Sequence, residues 1–283
     1  MKIGRWQLDP LHGGAFSIDG GAAFGVVPKT VWQKVHPADE LNRVRMTCNC
    51  LLARDGNHSV LIDTGYGGKY PPMDRKAYNM EEGNPILDAL ARLAVRAEDV
   101  NVVLFTHLHF DHAGGATRRT ADRRLEPTFP NARYCVYQKE WEDAVSQSPE
   151  LLAAYPQNNL EPLERAGKID CFEGTTELLP GLKPLRTGGH TRGHTAFLFE
   201  SSTESALFIG DICPTQAHIK TLWNMSYDTF LLETRRKKRK LLATAAERGW
   251  WVFLPHDPLV FACRVAAHPA KEFVTTDVIN RIV

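Results

Sequence analysis

Three histidines and one aspartate fall within six positions in His107-Leu108-His109-Phe110-Asp111-His112. Imidazole and carboxylate groups in a folded interior are costly unless they are hydrogen-bonded, paired or bound to a metal. Their gathering at this spacing points to metal binding rather than to a chance cluster of core histidines. The apolar run Val102-Val103-Leu104-Phe105 precedes the cluster, and Gly114-Gly115 follow it. The stretch therefore reads as a strand that ends in a tight, ligand-bearing loop.

Other metal-competent groups sit in equivalent places. Ser59-Val60-Leu61-Ile62 runs into Asp63, Leu182–Arg186 into the loop holding His190, Ala206-Leu207-Phe208-Ile209 into Gly210-Asp211, and Trp250–Leu254 into Pro255-His256-Asp257. Loops at one rim of a sheet scaffold are where chemistry is usually placed. Further strands are predicted over 44–52, 131–137, 168–172 and 196–200. Helices are predicted from Ile86 to about Arg96, over 138–145, and over 228–248. Residues 1–45 are glycine-rich and loop-like, and 67–85, 116–132 and 149–159 read as irregular or solvated loops. Strands mixed with helices, and hairpin-like early strands, predict an α+β sandwich rather than a doubly wound sheet. The expected organisation is one domain over 1–283, with 1–44 an N-terminal arm that covers the pocket or a homodimer interface.

Composition narrows the function classes. The 283 residues are 43% hydrophobic and 24% charged, as in an ordinary globular protein, and the net charge of +1 favours neither nucleic acid nor a membrane surface as partner. The run Arg235-Arg236-Lys237-Lys238-Arg239-Lys240 is flanked at helical spacing by Phe230, Leu231, Leu241, Leu242 and Ala245. It reads as a solvated helix face rather than a nucleic-acid signal. No run approaches a membrane span, and the start lacks the apolar core of a signal peptide, so a cytoplasmic protein is expected. The six cysteines are scattered and predicted to be reduced. Cys48 and Cys50 share one strand face, but two thiolates fall short of the usual four ligands.

HxHxDH at 107–112, GHTxGH at 189–194, Gly210-Asp211 and His256 occur in that order. Over residues 45–257 the chain thereby resembles the metallo-β-lactamase fold superfamily, and Asp63-Thr64-Gly65 fits the same pattern. The resemblance implies an αββα sandwich and two divalent metal ions, zinc in the first instance, with manganese, iron or cobalt as alternatives. Carried over residue by residue, His107, His109 and His190 would bind the first ion. Asp111, His112 and His256 would bind the second, and Asp211 would bridge them, with a hydroxide between the metals as nucleophile. Asp63 would orient a ligand imidazole or cap a turn, His194 would support the ligands, and Asp257 would be a turn residue or a proton donor.

His107 to Gly115 is similar to the stretch in the N-acyl homoserine lactonases, which quench quorum sensing. Asp19 to Lys29 with Trp32, and Gly210 to His218 with Trp223 and Tyr227, resemble the larger, YtnP-like branch of those enzymes. This implies hydrolysis of a small-molecule acyl lactone, with Asp111 or Asp257 passing a proton to the leaving alkoxide. Phe24, Val26, Phe110 and Trp223 are expected to wall an acyl chain. The small lactonases carry a tyrosine shortly after the bridging aspartate. Here none occurs before Tyr227, so His218 is the candidate to contact substrate instead. The competing enzyme reading is a phosphotriester or arylester hydrolase on the same site. The non-enzyme reading, a metal-stabilised scaffold or sensor, fits poorly, because seven ligands with a bridging carboxylate imply two ions and open positions.

Overall fold

The computed structural model describes residues 1–280. The chain divides into two compact units, one of residues 1–15 and 48–174, the other of residues 16–47 and 175 onward. Strands and helices are mixed throughout, in an α+β arrangement with two principal sheets.

The first sheet orders its strands as Lys2–Ile3, Trp6–Asp19, Arg43–Arg54, Ser59–Ile62, Val102–Leu104, Arg133–Tyr137 and Ile169–Phe172. Val102–Leu104 lies between two parallel neighbours, with Val103 opposite Leu61 on one side and Tyr134 on the other. All three of its residues are buried, which is why it reads as an uninterrupted apolar run rather than an alternating one. The glycine-rich start is not a loop, as expected, but the 14-residue strand Trp6–Asp19. Its Gly13 marks a close backbone approach, since a Cβ there would lie 2.7 Å from Cys50 Sγ and 3.0 Å from Gly65 Cα.

Helix Pro85–Arg92 buries Ile86, Ala89 and Leu90. It stops short of Arg96 because Ala94 turns left-handed, at φ 54°, and the Val95 N–H closes onto the Leu90 carbonyl. Helix Gln138–Val145 matches its expected bounds. The arginine-rich stretch expected as loop contains a two-stranded hairpin, Thr117–Arg119 with Leu125–Pro127.

The second sheet runs Leu182–Arg186, Thr195–Glu200, Ser205–Phe208, Trp251–Phe253, Val260–His268 and Glu272–Asn280. Helix Leu231–Arg248 contributes Leu242 and Ala245 to a buried cluster with Ile209, Val252 and Leu254. It begins three residues later than its periodicity predicts. The Thr229 and Phe230 N–H groups are donated to the carbonyls of His190 and Gly189 instead of entering the helix. The basic run is not solely a solvated face. Lys238 is fully buried, with Nζ 2.5 Å from the Trp223 carbonyl, and burial lowers its pKa to about 8.

The six cysteines are all free, and Cys171 alone among them is not fully buried. Burial and the nearby Asp63 charge push the Cys50 thiol well up, which disfavours it as a thiolate ligand. Among the described residues, no helix is long and apolar enough to cross a membrane.

Candidate metal centre

In the first unit, strand Val102–Leu104 delivers Thr106 and His107 into a short helix, Phe110–Ala113, that carries Asp111 and His112. His107, Asp111 and His112 are buried, and His109 is half-buried. Asp63 organises this loop. Its Oδ1 accepts the Thr106 N–H at 2.9 Å, and its Oδ2 accepts the Thr106 hydroxyl and faces His112 Nδ1, both at 2.8 Å. The backbone at Asp63 is left-handed, φ 55°, which aims the carboxylate across to the neighbouring strand end. With His112 Nδ1 committed to Asp63, Nε2 carries the lone pair, and Asp111 Oδ1 lies 3.9 Å from it. His107 Nε2 and His109 Nδ1 are 3.0 Å apart.

In the second unit the same wiring recurs twice. His190 Nδ1 lies 2.7 Å from Asp228 Oδ1, and its Nε2 lies 3.5 Å from Asp211 Oδ2. His256 Nδ1 donates to the Thr47 carbonyl at 2.8 Å, and its Nε2 lies 3.0 Å from Asp211 Oδ1. A carbonyl can only accept, so Nδ1 of His256 carries a proton, and in the neutral tautomer that this bond selects Nε2 presents a lone pair to a carboxylate oxygen. In that tautomer the ring nitrogen and the carboxylate oxygen are both acceptors, 3.0 Å apart, where His256 is 1% exposed. A cation satisfies both. A histidine whose distal nitrogen is held by a carboxylate or carbonyl is the arrangement that fixes a metal ligand's tautomer and orientation. The donor set thus fits a divalent metal ion.

His194 supports this half of the site without offering itself as a ligand. Its Nε2 accepts the Asp211 N–H at 2.9 Å, and its Nδ1 is 2.6 Å from the Thr187 hydroxyl.

The sequence profile of the metallo-beta-lactamase superfamily matches residues 43–247. The chain belongs to the metallo-β-lactamase superfamily. A probable metal-dependent hydrolase from Staphylococcus aureus is 32% identical, with TM-score 0.92 over 100% of this chain and 99% of that one. An N-acyl homoserine lactonase from a Bacillus species is 32% identical over 171 residues, 56% of this chain and 61% of that protein. The match therefore spans under two thirds of that relative's length. The fold is also shared with AidC, a dizinc quorum-quenching lactonase, at TM-score 0.79 and 20% identity, covering 98% and 95% of the two chains.

Several expected residues of this superfamily member take other positions. His218, expected at substrate, is fully buried. Its Nε2 is 2.9 Å from the Ala23 carbonyl, its Nδ1 is 2.8 Å from Thr215 Oγ1, and its ring stacks on Phe24. Burial lowers its pKa to about 3, so the ring is neutral. Phe24 is likewise fully buried, between Trp32, His36, His218 and Trp223, and is a core residue rather than a pocket wall. Trp223 is buried and Val26 is exposed. Phe110 is half-buried and meets the rings of Tyr70 and Tyr78. Asp257 acts as a turn residue. Its oxygens accept the N–H groups of Gln216, Leu259 and Val260.

Two partners of the site are not evident from the motifs, and a third, Tyr227, carries part of the resemblance without a role assigned to it. Asp228 holds His190, and the one available clue is that it is the only carboxylate between Asp211 and Glu233. Glu140, fully buried, accepts the Leu108 N–H at 3.0 Å and the Tyr155 hydroxyl at 3.1 Å, which ties the backbone between His107 and His109. No pattern in the sequence marks it. Tyr227, sixteen residues past Asp211, places its ring 5.7 Å from His190 and is 42% exposed.

Proposed function

We propose that this protein is a binuclear metal hydrolase that opens lactone rings, with N-acyl homoserine lactones as its substrates. One observation carries the reading: the Nδ1 atoms of His112, His190 and His256 are each held by a carboxylate or carbonyl, so that three Nε2 lone pairs are presented for a metal. The lactonase names borne by several Bacillus relatives support the substrate class.

In this reading His107, His109 and His190 serve one ion, Asp111, His112 and His256 serve the second, and Asp211 serves both. When bound, the ions supply an activated water at neutral pH and Lewis acidity toward an ester carbonyl. The chain's own residues do the rest. Asp63, Asp228 and the Thr47 carbonyl hold the imidazoles in register. Asp111 passes a proton to the leaving alkoxide. Tyr227, rather than His218, donates a hydrogen bond to a substrate oxygen beside His190. Phe110 with Tyr70 and Tyr78 forms the apolar wall for the acyl chain. Six free thiols suit a reducing compartment such as the cytoplasm.

Rates on N-acyl homoserine lactones of graded chain length, set beside a phosphotriester and an aryl ester, test this proposal. Lactones should give the highest kcat/KM. Turnover confined to the phosphotriester or the aryl ester would replace it.

A further inference from the structure

The basic run Arg235-Arg236-Lys237-Lys238-Arg239-Lys240 has no part in the chemistry above, yet it reaches inward. Helix Leu231–Arg248 buries Thr234, Lys238, Leu242 and Ala245, which recur at helical spacing on one face. An apolar residue at 238 would continue that face at lower cost, because a buried ammonium must be paired or hydrogen-bonded. Lys238 instead donates from Nζ to the Trp223 carbonyl at 2.5 Å. Three residues earlier, Arg235 donates from Nε to Asn224 Oδ1 at 3.0 Å. Two cations of the run thus grip consecutive residues, Trp223 and Asn224.

The gripped segment leads to His190. The Ser226 N–H is donated to the Ala22 carbonyl at 2.9 Å, and a Cβ on Gly25 would lie 2.9 Å from the Asn224 carbonyl oxygen, so the backbones approach closely there. Further on, the Thr229 and Phe230 N–H groups bond the His190 and Gly189 carbonyls. Tyr227 and Asp228 lie between these attachments, and both side chains meet the His190 ring.

The charges that reach the Lys238 ammonium are those of Asp228, Glu272 and Arg235, with the Cys213 thiol beside them. Glu272 is exposed and bonds Thr221. Asp228 is buried, and its Oδ2 has no hydrogen-bond partner among the described residues. The ammonium therefore also offsets the charge of the carboxylate that holds His190.

We propose that Lys238 and Arg235 are positioning residues: they clamp residues 223–224 and thereby set where Tyr227 and Asp228 meet His190. The inference rests on the reading of His190 as a metal ligand.

The test reads zinc affinity by chelator competition, and amide hydrogen exchange, on the full chain. Lys238→Met and Arg235→Met each keep an unbranched apolar stem and remove the donor. Arg236→Met, at an exposed position of the same run, controls for net charge. Zinc affinity should fall about three- to tenfold in each of the first two, less than the cost of losing a direct partner of a ligand, and stay unchanged in the third. Hydrogen exchange at 225–230 should quicken in the same two variants. Lys238→Met combined with Asp228→Asn should lose less affinity than the product of the separate losses, since both act through one contact with His190. Unchanged zinc affinity in Lys238→Met and Arg235→Met, or a loss that multiplies fully with that of Asp228→Asn, overturns the clamp. Arg235→Met takes the place of Lys238→Met throughout if the latter does not fold. His190→Ala must itself weaken zinc binding; if it does not, the metal reading fails and the inference with it.

Discussion

His190 and Asp228 meet through Nδ1 and Oδ1 at 2.7 Å, with both side chains at most 1% exposed. The contact explains two features together. The carboxylate fixes which ring nitrogen of His190 is presented toward Asp211. The segment that carries it also bonds the 189–190 backbone, and so delays the start of helix Leu231–Arg248. Asp228→Asn keeps the shape and removes the charge. Metal affinity should fall about 10- to 100-fold, the usual cost of losing such a partner, as read by zinc transfer to a chromogenic chelator. Unchanged affinity would mean that Asp228 only packs the loop.

Glu140 tests how the His107–His109 backbone is held. Glu140→Ala leaves the Leu108 N–H and the Tyr155 hydroxyl without this acceptor in a buried site. Each such loss costs about 1–3 kcal/mol. Chemical denaturation should show a loss of several kcal/mol for Glu140→Ala and about 1 kcal/mol for Tyr155→Phe. Equal, small effects would show that the pair does not tie this loop.

The neutral His218 makes a pH-dependent contribution of definite sign. Its pKa is about 3 in the fold against 6.5 in its absence. Between those values the unfolded chain binds a proton that the folded chain does not, so stability falls as pH drops from 6.5 toward 3. The slope approaches about 1.4 kcal/mol per pH unit for one proton. His218→Gln should be less stable at pH 8, through lost packing and hydrogen bonds, yet show a shallower acid limb. An acid limb as steep as that of the unaltered protein would remove His218 from the account.

Tyr227 separates binding of metal from handling of substrate. Tyr227→Phe should lower kcat on a lactone about tenfold, a loss of roughly 1.4 kcal/mol of transition-state stabilisation, and leave metal content unchanged. A parallel fall in metal content would make the phenol a support for His190 instead.

What the sequence made legible, and what it hid, follows from where each signal resides. The metal-competent cluster at 107–112 and the positions of Asp63, His190, Asp211 and His256 after strands were readable because such side chains follow apolar runs directly. Helix Gln138–Val145 was readable in its bounds, while the Glu140 within it was not, because its role comes from a contact with Leu108 32 positions away. Strand Trp6–Asp19 was obscured by Gly13, which the sheet requires for close approach to Cys50. The roles of His218 and Phe24 were misread because burial decides them, and an aromatic near a motif looks the same whether it faces a pocket or a core. Tyr227 was set aside because it lies sixteen positions past Asp211, yet the chain returns it to His190.

The central claim is that His107, His109, Asp111, His112, His190, Asp211 and His256 hold two ions that turnover requires. Elemental analysis of the purified protein, followed through chelation and metal restoration with lactone turnover measured at each stage, tests it most directly. The account predicts two equivalents of divalent metal per chain in active protein, no turnover in the metal-free protein, and recovery on restoration. His109→Ala should retain its far-ultraviolet spectrum, lose at least one equivalent and be inactive. Full turnover by metal-free protein or by His109→Ala would contradict it.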